Sequence, residues 1–137
     1  MITKPIPYGR QHITDEDIQC VIDALKSDYL TQGPKIKEFE EAFASYVGCK
    51  YAIAVNNATA GLHLAATALD VNLGDKVIVT PLTFAASANC IRFRGGEVVF
   101  CDVEEDTYLM DIKKLSRLLS QSPKGTYKGI VLVDFCL

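Results

Sequence analysis

Residues 76–103, KVIVTPLTFAASANCIRFRGGEVVFCDV, decide the fold that the sequence predicts. They begin with an apolar run at 76–80, continue through a helical stretch at 83–94, and end with a second apolar run at 97–103. Strands that are apolar throughout, rather than alternating, are typical of parallel sheets covered on both faces. The stretch therefore predicts a strand–helix–strand unit with parallel strands.

The same rhythm extends to both sides of this unit. We predict a strand at 51–55 and a helix at 59–69 before it, and a helix at 111–121 capped by Asp111 and a strand at 129–135 after it. Alternating strands and helices predict an α/β fold. The fold class is a mostly parallel sheet with helices on both faces.

The region before residue 51 is predicted to be helical. Thr14 is a good N-cap for a helix over 15–27. Pro34 suits the start of a second helix with an apolar stripe, and Gly48 suits its end. Two domains are predicted, an N-terminal helical arm at 1–50 and a partial α/β domain at 51–137.

The composition limits the class of protein. The chain has 137 residues, 49% of them hydrophobic, and a net charge of −3, which gives no sign of a nucleic-acid partner. No apolar run is long enough to span a bilayer and the N-terminus lacks a signal-peptide core, so we expect no membrane partner. Five scattered cysteines without a CxxC pair indicate reduced thiols in a cytoplasmic protein rather than a metal site.

A corner of small residues, 56–61, separates the predicted strand at 51–55 from its helix. In a parallel α/β sheet, ligands bind beyond the carboxyl ends of the strands, and a helix N-terminus there suits a phosphate. Small side chains allow the phosphate to approach the backbone closely, and the Thr59 hydroxyl adds a hydrogen-bond donor. The alternative is a tight turn in which the small residues only permit close packing. The spacing alone favours this alternative. The usual glycine-rich nucleotide loops are absent from the sequence.

Phe84 follows the next strand and is a second candidate ligand contact. An aromatic side chain at that edge of the sheet can lie against a flat ring. The alternative is that Phe84 is an ordinary core residue.

Other polar residues are weaker candidates. His63 fits a structural histidine better than a catalytic one, and His12 has no evident partner in the sequence. Asp102 and Asp134 lie near strand ends and are candidates to face the site, although Asp102 equally suits a turn cap. We assign no catalytic residue and no metal ligand from these patterns.

Three separated stretches resemble one known family. LTQGPKIKEFEEAFASYVGCKYAIAVNNATAGLHLA, GDKVIVTPLTFAASANCI and GGEVVFCDVEEDTYLMD are similar, in order and spacing, to the N-terminal part of the DegT family of sugar-nucleotide aminotransferases. The resemblance implies part of the large domain of a fold-type-I enzyme that uses pyridoxal phosphate and acts as a homodimer. It also implies transfer of an amino group from an amino acid, expected to be glutamate, to a keto-sugar nucleotide for surface polysaccharide or amino-sugar biosynthesis.

The resemblance also implies roles for particular residues. The phosphate cup would be Ala58, Thr59 and Ala60, with Thr59 and the backbone of Ala60 as the main contacts. Phe84 would stack on the pyridine ring. The loop at Tyr29, Leu30 and Thr31 matches a segment that lies near the substrate.

The family's catalytic lysine, and the aspartate that pairs with the cofactor's ring nitrogen, lie downstream of the strand at 129–135. The chain matches roughly the first third of a family member, and none of its lysines corresponds to the catalytic position. Cys136 and Leu137 also depart from the small residues of the family pattern. We therefore expect a truncated, inactive piece that self-associates. The alternative is a non-catalytic remnant or phosphate-binding α/β module, with a small nucleotide-binding module less favoured.

Overall fold

A computed structural model describes residue 7 and residues 9–134 of the chain. The chain divides into two compact units, Met1–Ala54 and Val55–Leu137. The domain boundary expected at residue 50 stays a prediction. The last residue of the strand predicted at 129–135, together with Cys136 and Leu137, lies outside the described residues.

The first helix, α1 (Asp15–Leu25), begins at the predicted cap. The Thr14 hydroxyl accepts a hydrogen bond from the Asp17 N–H, and the Asp17 carboxylate accepts one from the Thr14 N–H. This capping box satisfies amides that a helix start leaves unpaired. Donation from the Thr14 N–H and hydroxyl also lowers the pKa of Asp17.

The second helix, α2 (Pro34–Val47), confirms both predicted ends. Pro34 occupies the first helical position, where its missing N–H costs nothing. Gly48 ends the helix with φ 70°, a left-handed conformation that glycine adopts without strain. The predicted apolar stripe remains well exposed, as in Phe39 and Phe43, whose rings stack with centroids 5.9 Å apart.

The strand predicted at 51–55 is wrong. This segment takes part in none of the strand pairings of the described residues. An apolar run becomes a strand only when a neighbour supplies the ladder hydrogen bonds. Here the Ala54 N–H donates instead to the Glu40 carboxylate at 2.8 Å, and Ile53 is 77% exposed.

The described part of the second unit contains three helices and three strands, of the predicted types and in the predicted order. These are α3 (Ala58–Ala68), β1 (Lys76–Val79), α4 (Ala86–Arg92), β2 (Glu97–Phe100), α5 (Ile112–Ser120) and β3 (Tyr127–Val131).

The three strands form a parallel sheet in the order β2-β1-β3. In the register of the sheet, Ile78 of β1 lies between Val99 of β2 and Ile130 of β3. The central strand has the continuous burial that its sequence predicted, with Val77, Ile78 and Val79 at most 1% exposed. The prediction of parallel pairing is confirmed.

Helices cover both faces of the sheet, as predicted. Val77 and Val79 point to one face and Ile78 to the other, because side chains alternate along a strand. The first face packs against α3 and α4, and the second against α5 and the segment before it. Buried partners are Ala66, Val71, Cys90 and Ile91 on the first face, and Cys101 and Met110 on the second.

Several elements are shorter than predicted. The strand predicted at 129–135 is wrong at both ends, since β3 begins at Tyr127 and ends at Val131, and the other large differences are in β2 and in the helix predicted at 83–94. The strand β2 stops at Phe100 because the Asp102 carboxylate accepts the Val103 N–H at 2.9 Å and turns the chain. The helix predicted at 83–94 begins only at Ala86, after a turn in which the Phe84 carbonyl accepts from the Ser87 N–H. None of the described helices is both long and apolar enough to cross a bilayer.

Candidate functional site

The small-residue corner forms the start of α3. Asn57 is the N-cap, in an extended conformation, and its side-chain oxygen accepts from the Ala60 N–H at 2.9 Å. The Asn57 carbonyl accepts from the Gly61 N–H at 3.2 Å. Asparagine is among the best N-caps because its short side chain reaches the third amide of the helix. The local sequence therefore explains why the helix begins here.

Two amides at this helix start remain available. Among the described residues, neither the Ala58 N–H nor the Thr59 N–H has a hydrogen-bond acceptor, and the Thr59 hydroxyl has no partner. Ala58 is exposed and Thr59 is half-buried. Unpaired N–H groups at a helix N-terminus, with the positive end of the helix dipole, suit an anion. These three donors can bind a phosphate group.

Ala60 differs from its two predecessors. Its N–H, which the sequence predicted as a phosphate contact, already donates to Asn57. A phosphate would have to displace that side chain to reach the Ala60 N–H. The role of Ala60 stays a prediction, and the available donors are those of Ala58 and Thr59.

Phe84 lies in the turn between β1 and α4. Its side chain is 79% exposed, so the alternative that it is an ordinary core residue is wrong. The turn is held by the Ser87 N–H donating to the Phe84 carbonyl at 3.0 Å, and by a hydrogen bond of 2.8 Å between the Thr83 and Ser87 hydroxyls. An exposed aromatic ring on a fixed turn is suited to stack on a flat ligand.

Thr80, which the sequence analysis did not single out, carries an unusual polar group. It follows the last residue of β1, is 1% exposed, and its hydroxyl has no hydrogen-bond partner among the described residues. Buried polar groups are almost always paired, so such an atom calls for an explanation. An apolar strand that continues into threonine gives only a weak sequence signal, since threonine is common in strands.

The loop predicted to lie near substrate, Tyr29 to Thr31, belongs to the first unit. Tyr29 and Leu30 are about two-thirds exposed, at 68% and 67%. The Tyr29 carbonyl accepts from the Ser27 hydroxyl at 3.2 Å, and a Cβ on Gly33 would lie 2.8 Å from that carbonyl. Glycine at 33 thus permits the tight turn that presents Tyr29 and Leu30 to solvent.

The aspartate near the end of β2 is a structural residue. Lys114 donates to the Asp102 carboxylate at 2.8 Å, and the Val103 N–H donates to it at 2.9 Å. These donors lower the pKa of Asp102, and the same hydrogen bond raises the pKa of Lys114. The turn-cap alternative explains Asp102, since its carboxylate is directed to its own turn and to α5.

The histidine in α3 makes an aromatic contact. The His63 ring meets the Phe93 ring edge-on at 5.7 Å, between α3 and the end of α4, which pack together. This contact supports the structural alternative for His63. Within the described residues, no group of three or more His, Cys, Asp or Glu side chains is placed to hold a metal ion.

Comparison with known proteins identifies a family. Residues 11–136 match the DegT/DnrJ/EryC1/StrS aminotransferase family. A UDP-4-amino-4,6-dideoxy-N-acetyl-beta-L-altrosamine transaminase of Campylobacter jejuni is 43% identical over 131 residues, which are 95% of this chain and 34% of that protein. The chain spans about a third of the length of the curated relatives it matches.

Solved structures agree with this match. The Helicobacter pylori protein PseC, an aminotransferase involved in the biosynthesis of pseudoaminic acid, is 30% identical with a TM-score of 0.82, covering 96% of this chain and 35% of that one. The pneumococcal protein Spr1654 in its PLP form is 38% identical with a TM-score of 0.78, covering 82% of this chain and 29% of that one. The chain belongs to the DegT/DnrJ/EryC1/StrS aminotransferase family.

Proposed function

We propose that this chain forms the phosphate-binding part of a pyridoxal-phosphate-dependent sugar-nucleotide aminotransferase. The observation that carries the proposal is the start of α3, where two unpaired amides and the Thr59 hydroxyl occur in a chain of this family. When bound, pyridoxal phosphate supplies the electron sink that transamination needs. The donors at Ala58 and Thr59 would hold its phosphate, and Phe84 would lie against its ring.

The substrate part of the proposal is an amino-acid donor, expected to be glutamate, and a keto-sugar nucleotide acceptor. The sugar-nucleotide names of relatives support the acceptor class. Tyr29, Leu30 and Thr31 would contact that substrate from their exposed loop. No residue of this chain is proposed as the catalytic lysine.

We further propose a cytoplasmic homodimer. The four cysteines in the part of the chain that the structure describes are free, which supports a reducing compartment. Apolar side chains on α1 support self-association, because Ile18, Val21 and Leu25 are 50–64% exposed.

The proposal is tested on the complete gene product. The protein is purified with pyridoxal phosphate, and transfer of ¹⁵N from labelled glutamate to a UDP-linked keto sugar is followed by mass spectrometry. Cofactor binding together with ¹⁵N-labelled amino sugar supports the proposal. Cofactor binding without transfer to any keto sugar favours the alternative, a non-catalytic phosphate-binding module, and no cofactor binding contradicts the proposal.

A matched pair of variants tests the phosphate site directly. Thr59→Val removes the hydroxyl while keeping the shape of the side chain, and Thr59→Ser keeps the hydroxyl. Since a hydrogen bond to a charged group is worth about 1.5–3 kcal/mol, Thr59→Val should weaken cofactor binding about 10-fold or more. Thr59→Ser should bind nearly as well as the wild type, and equal affinity of Thr59→Val and the wild type would show that the Thr59 hydroxyl does not bind the phosphate.

A further inference from the structure

The turn that carries Phe84 is held by one residue of α4. The Ser87 N–H donates to the Phe84 carbonyl at 3.0 Å, and the Ser87 hydroxyl lies 2.8 Å from the Thr83 hydroxyl. Ser87 therefore bonds two successive residues of the turn, one through its backbone and one through its side chain. Because the Phe84 ring is 79% exposed, the direction of the ring depends mainly on the backbone of this turn.

Ser87 is itself fixed to the core of the second unit. It is 7% exposed, and its carbonyl accepts from the Cys90 thiol at 3.2 Å. Cys90 and Ile91, in the next turn of α4, belong to the buried cluster on the first face of the sheet. The hydroxyl pair thus connects an exposed turn to a helix that cannot move without disturbing a close-packed core.

The Ser87 hydroxyl is not needed to form α4. No side chain caps this helix, and the residues on either side of Ser87 are alanines, the best helix formers. Alanine at position 87 would suit a helix better than serine, whose hydroxyl competes for backbone hydrogen bonds. Helix formation therefore does not explain the serine, whereas its hydrogen bond with Thr83 connects it to the turn before the helix.

We infer that Thr83 and Ser87 are positioning residues for the Phe84 ring. Their hydroxyl pair restricts the turn, so the ring is held in place before the cofactor binds and less conformational freedom is lost when it stacks. Neither hydroxyl needs to touch the ligand for this effect. The inference rests on the proposed function, in which Phe84 lies against the cofactor ring, and adds two residues to that site.

The test compares a ligand that has a ring with one that has none. The dissociation constants of pyridoxal phosphate and of inorganic phosphate are measured for the complete gene product and for Ser87→Ala, which removes one hydroxyl of the pair. Thr83→Ser keeps both hydroxyls and is the conservative variant. Ser122→Ala is the matched control, because it breaks another hydroxyl pair, with Tyr127 at 3.1 Å, in the turn between α5 and β3.

The expected effect is selective for the ligand with a ring. Ser87→Ala should bind pyridoxal phosphate about 2- to 5-fold more weakly, which is part of the 2- to 10-fold that stacking contributes. Its dissociation constant for inorganic phosphate should not change. Thr83→Ser and Ser122→Ala should bind both ligands as the wild type does. Unchanged affinity of Ser87→Ala for pyridoxal phosphate, or an equal loss for both ligands, would overturn the inference.

A double variant separates this effect from a loss of stability. Ser87→Ala leaves the Thr83 hydroxyl without its partner, which lowers the free energy of unfolding. Thr83→Val combined with Ser87→Ala removes both hydroxyls and leaves neither unpaired. This double variant should show the same selective loss of affinity for pyridoxal phosphate, and wild-type affinity would contradict the inference.

The Phe84→Leu background shows whether the pair acts through the ring. Ser87→Ala should cause no further loss of affinity for pyridoxal phosphate there, because no aromatic ring remains to be positioned. A further loss as large as in the wild-type background would assign the effect to another group and overturn the inference. If the wild-type protein does not bind pyridoxal phosphate, the proposed function itself fails, which is a different result from wild-type affinity in Ser87→Ala.

Hydrogen exchange tests the restriction of the turn without any ligand. In Thr83→Val, the Ser87 amide should exchange faster than in the wild type, because the turn that it closes opens more often. The Phe93 amide, which donates to the Asn89 carbonyl at 2.8 Å at the end of α4, should exchange at the wild-type rate. An unchanged rate at Ser87 would mean that the turn is held without the hydroxyl pair, and the inference would be wrong.

Discussion

The backbone of Gly96 packs directly on the side chain of Val71: a Cβ added to Gly96 would lie 2.7 Å from Val71 Cγ1. The same Cβ would lie 2.8 Å from Ile91 Cγ2 and 3.3 Å from the Asp75 carbonyl. Val71 and Ile91 are at most 1% exposed, and β-branched side chains have few alternative rotamers. Gly96 thus allows the chain to enter β2 against the core shared by α3 and α4.

Gly96→Ala should destabilise the fold. The added methyl group cannot be accommodated without moving buried side chains, and overpacking of this kind costs about 1–3 kcal/mol. Urea denaturation followed by circular dichroism measures the change in the free energy of unfolding.

Gly129→Ala is the matched control for this substitution. Its Cβ would lie 2.6 Å from Leu69 Cδ2, but that atom is the end of a flexible side chain in a residue that is 44% exposed. Leu69 can rotate away, so we expect a smaller loss of stability than for Gly96→Ala. Equal losses for the two variants would show that the packing around Gly96 is not as rigid as its burial indicates.

Thr80→Val should raise the free energy of unfolding by about 1 kcal/mol. The Thr80 hydroxyl is buried without a partner among the described residues, and an unsatisfied buried polar group costs about 1–3 kcal/mol. Valine has the same shape and removes that cost. The prediction is checked by urea denaturation, with Thr80→Ser as a control that keeps the hydroxyl. A loss of stability in Thr80→Val would indicate that the hydroxyl is paired in the folded protein.

Much of the fold is predictable because its signals are local. The continuous apolar run at β1 predicts a central parallel strand, and Thr14, Pro34 and Gly48 predict helix ends through their own backbone chemistry. The segment at 51–55 has the same apolar character, yet it is not a strand, because strand formation depends on a distant neighbour that the segment itself does not encode.

The candidate site is predictable only in part. Small residues at 58–60 indicate that a phosphate can approach the backbone closely. Which amides are available to it depends on where the Asn57 side chain points. The exposure of Phe84 and the burial of the Thr80 hydroxyl are likewise results of packing. A sequence pattern indicates which groups are near one another along the chain. Their hydrogen-bond partners depend on the three-dimensional structure.

The ion pair between Lys114 and Asp102 should contribute to the acid dependence of stability. Lys114 holds the pKa of Asp102 below its ordinary value by donating to the carboxylate. The folded state therefore favours the ionised form of Asp102. The resulting contribution to the free energy of unfolding is fully present above the ordinary pKa of aspartate and is lost as the pH falls through the lower pKa of the folded state. Because both side chains are exposed, the effect is small.

Asp102→Asn tests this dependence. The substitution should flatten the curve of unfolding free energy against pH in the acid range. Lys114 has the opposite pH dependence. Its pKa is raised, so its contribution to the free energy of unfolding is lost as the pH rises through the raised pKa. If the unfolding free energy of Asp102→Asn depends on acid pH as that of the wild type does, the ion pair contributes nothing to stability.

Phe84→Leu should weaken binding of pyridoxal phosphate while leaving the stability of the free protein within about 0.5 kcal/mol of wild type. The ring is 79% exposed, so folding does not depend on it, whereas stacking between aromatic rings contributes about 0.5–1.5 kcal/mol, or about 2- to 10-fold in affinity. Titration of the cofactor followed by protein fluorescence measures the affinity. Phe84→Tyr should keep it, because tyrosine also stacks. Phe100→Leu, at another exposed phenylalanine on the edge strand β2, should not alter binding. A Phe84→Leu variant with wild-type affinity would remove the aromatic contact from the proposed site and leave the Ala58 and Thr59 donors to hold the ligand alone.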